Sequence, residues 1–490
     1  MSLKHSRRYW IVLSLANLVF IRQWSDLLNA RPFEAFYENL TAYPATVWAL
    51  YAAVLVLSAF LYALFRLCGR AGYPGLAYLC FLPPVVLGLN GLRQALNDER
   101  LSWGYGVQRF GTAAVWIAMG IVLVGSAFVI WRWRKLCLAS VDTVLWIFVW
   151  MLPLNVVRTL PLAFSSVERA PRALPHADRR APQRVFWLVF DGMDYRATFP
   201  DRPADLDLPN LDALRSHADF YTDAHAPGDE TNRSLPGYLM GRSVDRALLP
   251  LPGGGYELEF DGATPTPWKS EDSLFARARS EGASSAIVGW HLPYCELVGH
   301  YVDSCRRYPH YNAKKVAYVD TFGESFENLF SELFRLRWRD TYVHVSNYQA
   351  ILQDTLELVD DTSVDLVFVH WPIPHNPVIF DGKRVSRTVP NLFEGHFKNL
   401  KLADLALGRV IEKLQTTGQW KDAAVFVTSD HPSRAILLKD RIEDPRVPLL
   451  IKNPGQTAGR EVIARTQTTT LFERALELLG KKTETLARNP

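Results

Sequence analysis

Hydrophobic and polar positions in this 490-residue chain follow two different rules, and the change comes about a third of the way along. Before residue 166 the apolar residues come in long blocks. The runs 44–65, 73–92 and 110–131 hold no charged residue over about the 20 positions a helix needs to cross a bilayer, and 136–157 holds only Asp142. A fifth block, 9–21, is shorter and stops at Arg22. It can span with Arg22 and Trp24 at the interface. The sequence Arg22-Gln-Trp-Ser-Asp is a poor signal-peptidase site, so an uncleaved helix is preferred to a signal-peptide core. The pattern predicts about five membrane helices within 1–165.

After residue 184 the rule changes to short β-branched and aromatic runs separated by helical periods. The runs 184–190, 285–290, 365–370, 423–429 and 446–452 read as buried strands, and 208–217, 348–359, 399–415 and 468–479 read as helices. Strands that are apolar throughout and spaced by helices imply a mostly parallel sheet covered on both faces. Between the two regions, 166–183 is rich in Arg, Pro and Ala and reads as a linker. Its arginines either lie on anionic headgroups or simply solvate a tether.

Composition averages these two regions away. A mean hydropathy of −0.02 with 21% charged residues suggests an ordinary soluble protein, yet residues 1–165 hold only 20 of the 104 Asp, Glu, Lys and Arg. A net charge of +4 gives no case for nucleic-acid binding. Charge does predict topology. The N-terminal segment (Lys4, Arg7, Arg8) and the loops after the second and fourth spans (Arg66, Arg70; Arg132, Arg134, Lys135) carry eight basic residues and no acidic ones. The alternate loops, 22–43 and 93–109, carry five of each sign. By the positive-inside rule the N-terminus is cytoplasmic, and everything after about residue 166 is exported. Cys295 and Cys305, an even pair in the exported part, can then close a disulfide; two free buried thiols are the alternative.

In parallel sheets, ligands bind at the carboxyl ends of the strands. Here those ends carry Asp191 and Asp194, His291, His370 and His375, and Asp430 with His431. Asp and His suit zinc or manganese. Any one of them alone would ordinarily be a turn or cap residue.

Over about 270 residues these motifs resemble the alkaline phosphatase superfamily, in its sulfatase-like branch. LPNLDALRSHADFYTDAHAP (208–227) is similar to the stretch that follows that family's first metal aspartate, GWHL (289–292) to its GKWHLG, HWPIPHNP (370–377) to its H…PH.P, TSDH (428–431) to its TSDHG, and RVPLLIKNPG (446–455) to its RVPLIIKGPG. The resemblance implies an exported α/β domain over 184–490, with an alkaline-phosphatase/sulfatase-like sheet. It also implies one bound divalent metal, zinc in preference to manganese, held by Asp191, Thr231, Asp430 and His431. No His follows His431, which speaks against a second metal. Where sulfatases place the Cys or Ser that becomes formylglycine, this chain has Thr231, ten residues before Gly241, and threonine cannot give that aldehyde. The pattern T-x-x-S, with about five helices before an exported domain, instead resembles the membrane-anchored phosphoethanolamine transferases and lipoteichoic acid (phosphoglycerol) synthases.

That resemblance casts Thr231 as nucleophile, activated by the metal, at a position that would otherwise be a helix N-cap. Ser234 is the second candidate nucleophile. His375 and His291 are candidates for proton transfer to the leaving oxygen. His370, Asn232, Arg233 and Ser234 are candidates for substrate contact. The reaction expected is transfer of a headgroup from a membrane phospholipid, through a phosphothreonine, to an envelope glycan or lipid. The enzyme is expected in the inner (plasma) membrane with a periplasmic domain. Two rivals stand beside it: a membrane-bound phosphodiesterase or phosphatase, and an inactive scaffold in envelope polysaccharide assembly.

Overall fold

The region after residue 184 is built on a strand that is apolar at every position because both its faces are covered. In a computed structural model of the chain, β1 (Val185–Asp191) is wholly buried. Its alternate residues enter opposite cores: Val185, Trp187 and Val189 join one, Phe186, Leu188 and Phe190 the other. The structure describes residues 3–28, 43–70, 83–92, scattered positions in 113–140, most of 143–164, then 181–248, 256–308, 321–333, 338–386, 392–436 and 442–480, apart from a few single positions.

The chain divides into two compact units. One gathers Met1–Ala30, Thr41–Ser166 and Ala313–Arg335; the other gathers Arg31–Leu40, Val167–Asn312 and Leu336–Pro490. The second unit holds an eight-stranded sheet. Its other strands are β2 (Asp219–Tyr221), β7 (Ser285–Trp290), β8 (Ser304–Tyr308), β9 (Leu366–Pro374), β10 (Ala424–Ser429), β11 (Leu449–Lys452) and β12 (Arg460–Val462), in the order β12-β2-β11-β10-β1-β9-β7-β8. Only β11 runs against the rest. Two small sheets accompany it: β3 (Ala224–His225) with β13 (Thr466–Gln467), and β4 (Arg246–Leu248), β5 (Glu257–Glu259) and β6 (Thr266–Pro267).

The helices of the first unit are α1 (Leu3–Val19), α2 (Ile21–Leu28), α3 (Tyr43–Arg70), α4 (Met151–Ala163) and, further along the chain, α10 (Phe322–Leu333). Those of the second are α5 (Tyr195–Thr198), α6 (Pro209–Arg215), α7 (Thr231–Met240), α8 (Leu274–Ser280), α9 (Tyr294–Val298), α11 (Trp338–Asp360), α12 (Leu392–Thr416) and α13 (Thr470–Gly480). Residues of α7, α8 and α13 fill the core on one face of the sheet, and residues of α6, α11 and α12 fill the other. Every strand predicted from the sequence forms, within a few residues. The largest difference is β9, which runs on to Pro374 past the predicted end at His370. It continues through an irregularity in its pairing with β1, between Phe190 and Asp191.

In the first unit, two helices are long and apolar enough to cross a membrane, by length and composition: Pro44–Cys68 and Thr143–Ala163. Tyr9–Val19 and Pro83–Leu92 are shorter apolar helices. The run 110–131 falls largely outside the described residues, as does the linker 166–183. Among the described residues, two helices pass this test of length and composition, against the five expected from the sequence. The segment 313–335, which in sequence lies between parts of the second unit, groups with this first unit.

Candidate active site

Three neighbouring strands deliver the chemistry. β10, β1 and β9 lie side by side and parallel, so their carboxyl ends meet on one rim. β1 ends in Asp191, β10 is followed by Asp430 and His431, and β9 carries His370 opposite Val189. Gly192, at φ +70, turns the chain back on itself so that its amide donates to Asp430 Oδ1 at 2.9 Å. The His431 amide donates to the same oxygen at 2.9 Å. Ser429 ties the two strand ends, donating to the Phe190 carbonyl at 2.7 Å and accepting from the Met193 amide at 2.8 Å.

Thr231 comes from a distant loop and is the first residue of α7. Its hydroxyl donates to Asp430 Oδ2 at 2.7 Å and lies 3.3 Å from both Asp191 Oδ2 and His431 Nε2. The helix's first internal hydrogen bonds are made by the Arg233 and Ser234 amides, both to Glu230 O, so Thr231 sits at the positive end of the helix. Thr231 is therefore not the N-cap; Glu230 is. Asn232 is buried beside it.

The two imidazoles are aimed by their far nitrogens. His370 Nδ1 lies 3.0 Å from the Trp290 carbonyl, which can only accept, so Nδ1 carries the hydrogen. The Tyr294 hydroxyl sits 2.8 Å from the same nitrogen. His431 Nδ1 faces the Pro432 carbonyl at 2.8 Å. Both rings thus turn Nε2 toward the carboxylates: His370 Nε2 is 3.6 Å from Asp191 Oδ2, and His431 Nε2 is 3.6 Å from Asp191 Oδ1 and 3.5 Å from Asp430 Oδ2. Burial opposes ionisation of Asp191, yet His375, His370 and His431 together hold its carboxyl well below the usual range. Burial, with the Asp191 charge second, raises Asp430. Burial disfavours the charged form of His431, but Asp430 and Asp191 more than offset it and raise its pKa.

This donor set fits a divalent cation. Asp191, His370 and Asp430 offer ligand atoms within 4.8 Å of one another. Asp191 Oδ1 and His370 Nε2 are buried without a hydrogen-bond partner, an arrangement that is costly unless a cation lies between them. His370 therefore stands with the metal-binding candidates. Reading it as a substrate contact rested on a strand ending at His370; the strand continues, and the side chain is fully buried.

The remaining candidates separate. His375 and His291 are half-buried around the Trp290 ring, at 5.5 and 5.1 Å between centroids. His291 holds a positive φ of 76. Arg233 is paired with Asp229 and Glu230, outside the buried cluster. The Ser234 hydroxyl donates to the Gly228 carbonyl at 3.0 Å. Asp194 caps α5 through the Ala197 amide at 2.9 Å. Cys295 and Cys305 are joined by a disulfide. Sequence reading missed Tyr294 and Asn399. The buried Asn399 amide donates to the His375 carbonyl at 3.0 Å and the Pro377 carbonyl at 3.1 Å, and its oxygen accepts from the Ile379 amide at 3.0 Å. A polar residue on the apolar face of helix 399–415 was the one available signal.

A family model described as Sulfatase matches residues 184–481. Among solved structures, the chain is similar to a phosphonate monoester hydrolase of Agrobacterium radiobacter (13% identity, TM-score 0.40, covering 62% of this chain and 78% of that one). It is also similar to the PsFucS1 sulfatase from Pseudoalteromonas sp. (16% identity, TM-score 0.42, covering 63% and 69%). A third is a protein of the alkaline phosphatase superfamily from Vibrio parahaemolyticus (13% identity, TM-score 0.38, covering 64% and 69%).

Proposed function

The chain belongs to the sulfatase family of the alkaline phosphatase superfamily, and on that premise we propose that it is a membrane-anchored phospho-headgroup transferase working through Thr231. Family membership indicates an enzyme acting on sulfate or phosphate esters. The observation that carries the finer reading is the Thr231 hydroxyl, buried at a helix start within 3.3 Å of both candidate carboxylates and of His431. A threonine there supports direct attack, since it cannot mature into the formylglycine of a sulfatase.

Asp191, His370, Asp430 and His431, with Thr231, would hold the metal, which when bound supplies positive charge that favours the alkoxide; zinc is preferred to manganese. Thr231 Oγ attacks phosphorus, its proton passing first to Asp430, to which it is already hydrogen-bonded. A new O–P bond forms and the P–O bond to diacylglycerol breaks, the leaving oxygen taking a proton from His375 or His291. The positive end of α7, where Thr231 sits, favours the anionic phosphoryl oxygens. An acceptor hydroxyl on an envelope glycan or lipid then displaces Thr231 by the same path in reverse. Five membrane helices, the boundary near 166–183, a phosphoethanolamine or phosphoglycerol headgroup, and a periplasmic domain on the inner membrane complete the proposal. An anchored catalyst meets a lipid donor at high local concentration.

Thr231→Ala in the full chain, assayed with labelled phosphatidylethanolamine and phosphatidylglycerol in vesicles, tests it. Loss of turnover together with loss of a mass-shifted Thr231 peptide supports the route. Full headgroup turnover by the variant overturns it. Released headgroup with no modified acceptor makes the enzyme a hydrolase.

A further inference from the structure

The helix α10 has no part in the site just described. It lies between β8 and α11 in sequence, yet its segment groups with the membrane helices. We infer that α10 is an interfacial helix that rests on the phospholipid headgroups of the extracytoplasmic leaflet. This rests on the membrane part of the proposed function and is independent of its chemistry.

Position carries the inference. Ser325 Oγ lies 3.5 Å from Thr46 Oγ1 of α3, and the Phe330 ring meets Phe20 at 5.8 Å. Phe20 follows the end of α1, and Thr46 is near the start of α3. The basic loops place both of these helix ends on the extracytoplasmic side. A segment from the exported part of the chain can reach only that side, so sequence topology and packing agree without either having been used to derive the other.

The level in the membrane is marked as well. Trp24 and Tyr51 meet at 5.6 Å, Trp48 and Tyr51 at 5.8 Å, and Trp48 and Phe164 at 5.7 Å. Trp and Tyr gathered at helix ends mark a membrane–water boundary. Phe20 and Trp24 are four residues apart and Thr46 and Trp48 two, so α10's contacts lie within roughly 6 Å along the helices of that belt.

The face of α10 suits this depth. Of the wholly buried residues of α10, Ser325, Asn328 and Ser331 are polar and Leu329 is apolar, a mix beside Phe330 that fits the headgroup level better than the acyl core. Phe322 remains 48% exposed at its start, beside exposed Glu324 and Glu327.

The test places a spin label at Phe322→Cys, in the full chain with Cys68, Cys80 and Cys137 replaced by Ala, reconstituted in phosphatidylethanolamine–phosphatidylglycerol vesicles. A control label at the exposed Arg384 reports bulk water. The expected result is several-fold lower access of a water-soluble nickel chelate at 322 than at 384, with oxygen access raised. Equal nickel access at the two positions overturns the inference. A Thr46→Cys, Ser325→Cys pair checks the packing separately: it should cross-link on oxidation, and failure to do so counts against the docking. In activity, Phe322→Asp should slow turnover of vesicle-embedded donor several-fold and leave a water-soluble phosphodiester unaffected. Equal loss on both substrates overturns the interfacial role. If no phosphodiester turns over at all, the chemistry has failed, and the label still reports on the helix.

Discussion

Tyr294→Phe isolates one atom of the site. The ring is held so tightly that a Cβ added at Gly289 would come within 2.1 Å of it, and phenylalanine keeps that packing. What goes is the hydroxyl 2.8 Å from His370 Nδ1, in a wholly buried position. The Trp290 carbonyl still fixes the tautomer at 3.0 Å. The stability cost is that of one buried neutral hydrogen bond, about 1 kcal/mol. The effect on the metal is larger in proportion, because a partner on the far nitrogen sets both the ring angle and the basicity of Nε2. Loss of such a partner lowers metal affinity about 10- to 100-fold, and retention of the carbonyl favours about 10-fold. The assay is zinc and manganese titration of full-length protein, with turnover measured at limiting and saturating metal. Turnover should fall at limiting metal and largely recover at saturation. Gly289→Ala, which must displace the same ring, should do worse on both counts. Affinity within twofold of the parent for Tyr294→Phe would show that His370 is not a ligand, or that its partner does not matter.

Four further outcomes follow from the same geometry. Asn399→Ala removes the amide that holds the His375 loop; it should cost about 1–3 kcal/mol in thermal unfolding and lower kcat more than metal affinity. His396 is buried, and that burial, with the His375 charge second, lowers its pKa to about 4. The unfolded chain takes up this proton near pH 6.5 while the folded one resists, so stability is full above 6.5 and falls toward pH 4. About 2 kcal/mol should be lost between pH 7.5 and 5 on this account, and His396→Gln should flatten that dependence in paired unfolding curves. Opening the disulfide with Cys295→Ser and Cys305→Ser should cost about 3 kcal/mol for a loop this short, read as a lower unfolding temperature. Chelation should abolish turnover, and zinc or manganese should restore it without refolding.

The sequence made the central strands and their polar ends legible, because a strand buried on both faces leaves an uninterrupted apolar run. It located Asp191, Asp430 and His431 for the same reason. Thr231 was reached by resemblance and spacing, since nothing local marks it. His370 was placed too near a strand end, because Trp371-Pro-Ile-Pro374 looks like a terminator: proline cannot donate to a ladder. The structure carries β9 through those residues by shifting its register against β1. Tyr294 and Asn399 were not legible. Each acts on a partner that is remote in sequence, 76 residues away for Tyr294 and 24 for Asn399. The edge strands β8 and β12 were missed because their polar or exposed positions break the apolar pattern that betrayed the others, and β2 because it is only three residues long.

The adjacency of β1 and β10 also sets a timetable. The amide of Gly192 and the carboxylate of Asp430 are 238 residues apart. During synthesis β1 emerges long before either of its neighbours, with seven positions that end up buried and two unpaired edges. Until β9 and β10 arrive, its apolar faces and unpaired edges are open to other chains. The catalytic rim must therefore be among the last features to assemble. A chain stopped anywhere before residue 424 would carry β1 unpaired on its β10 side, which makes premature termination a hazard of aggregation as well as a loss of activity.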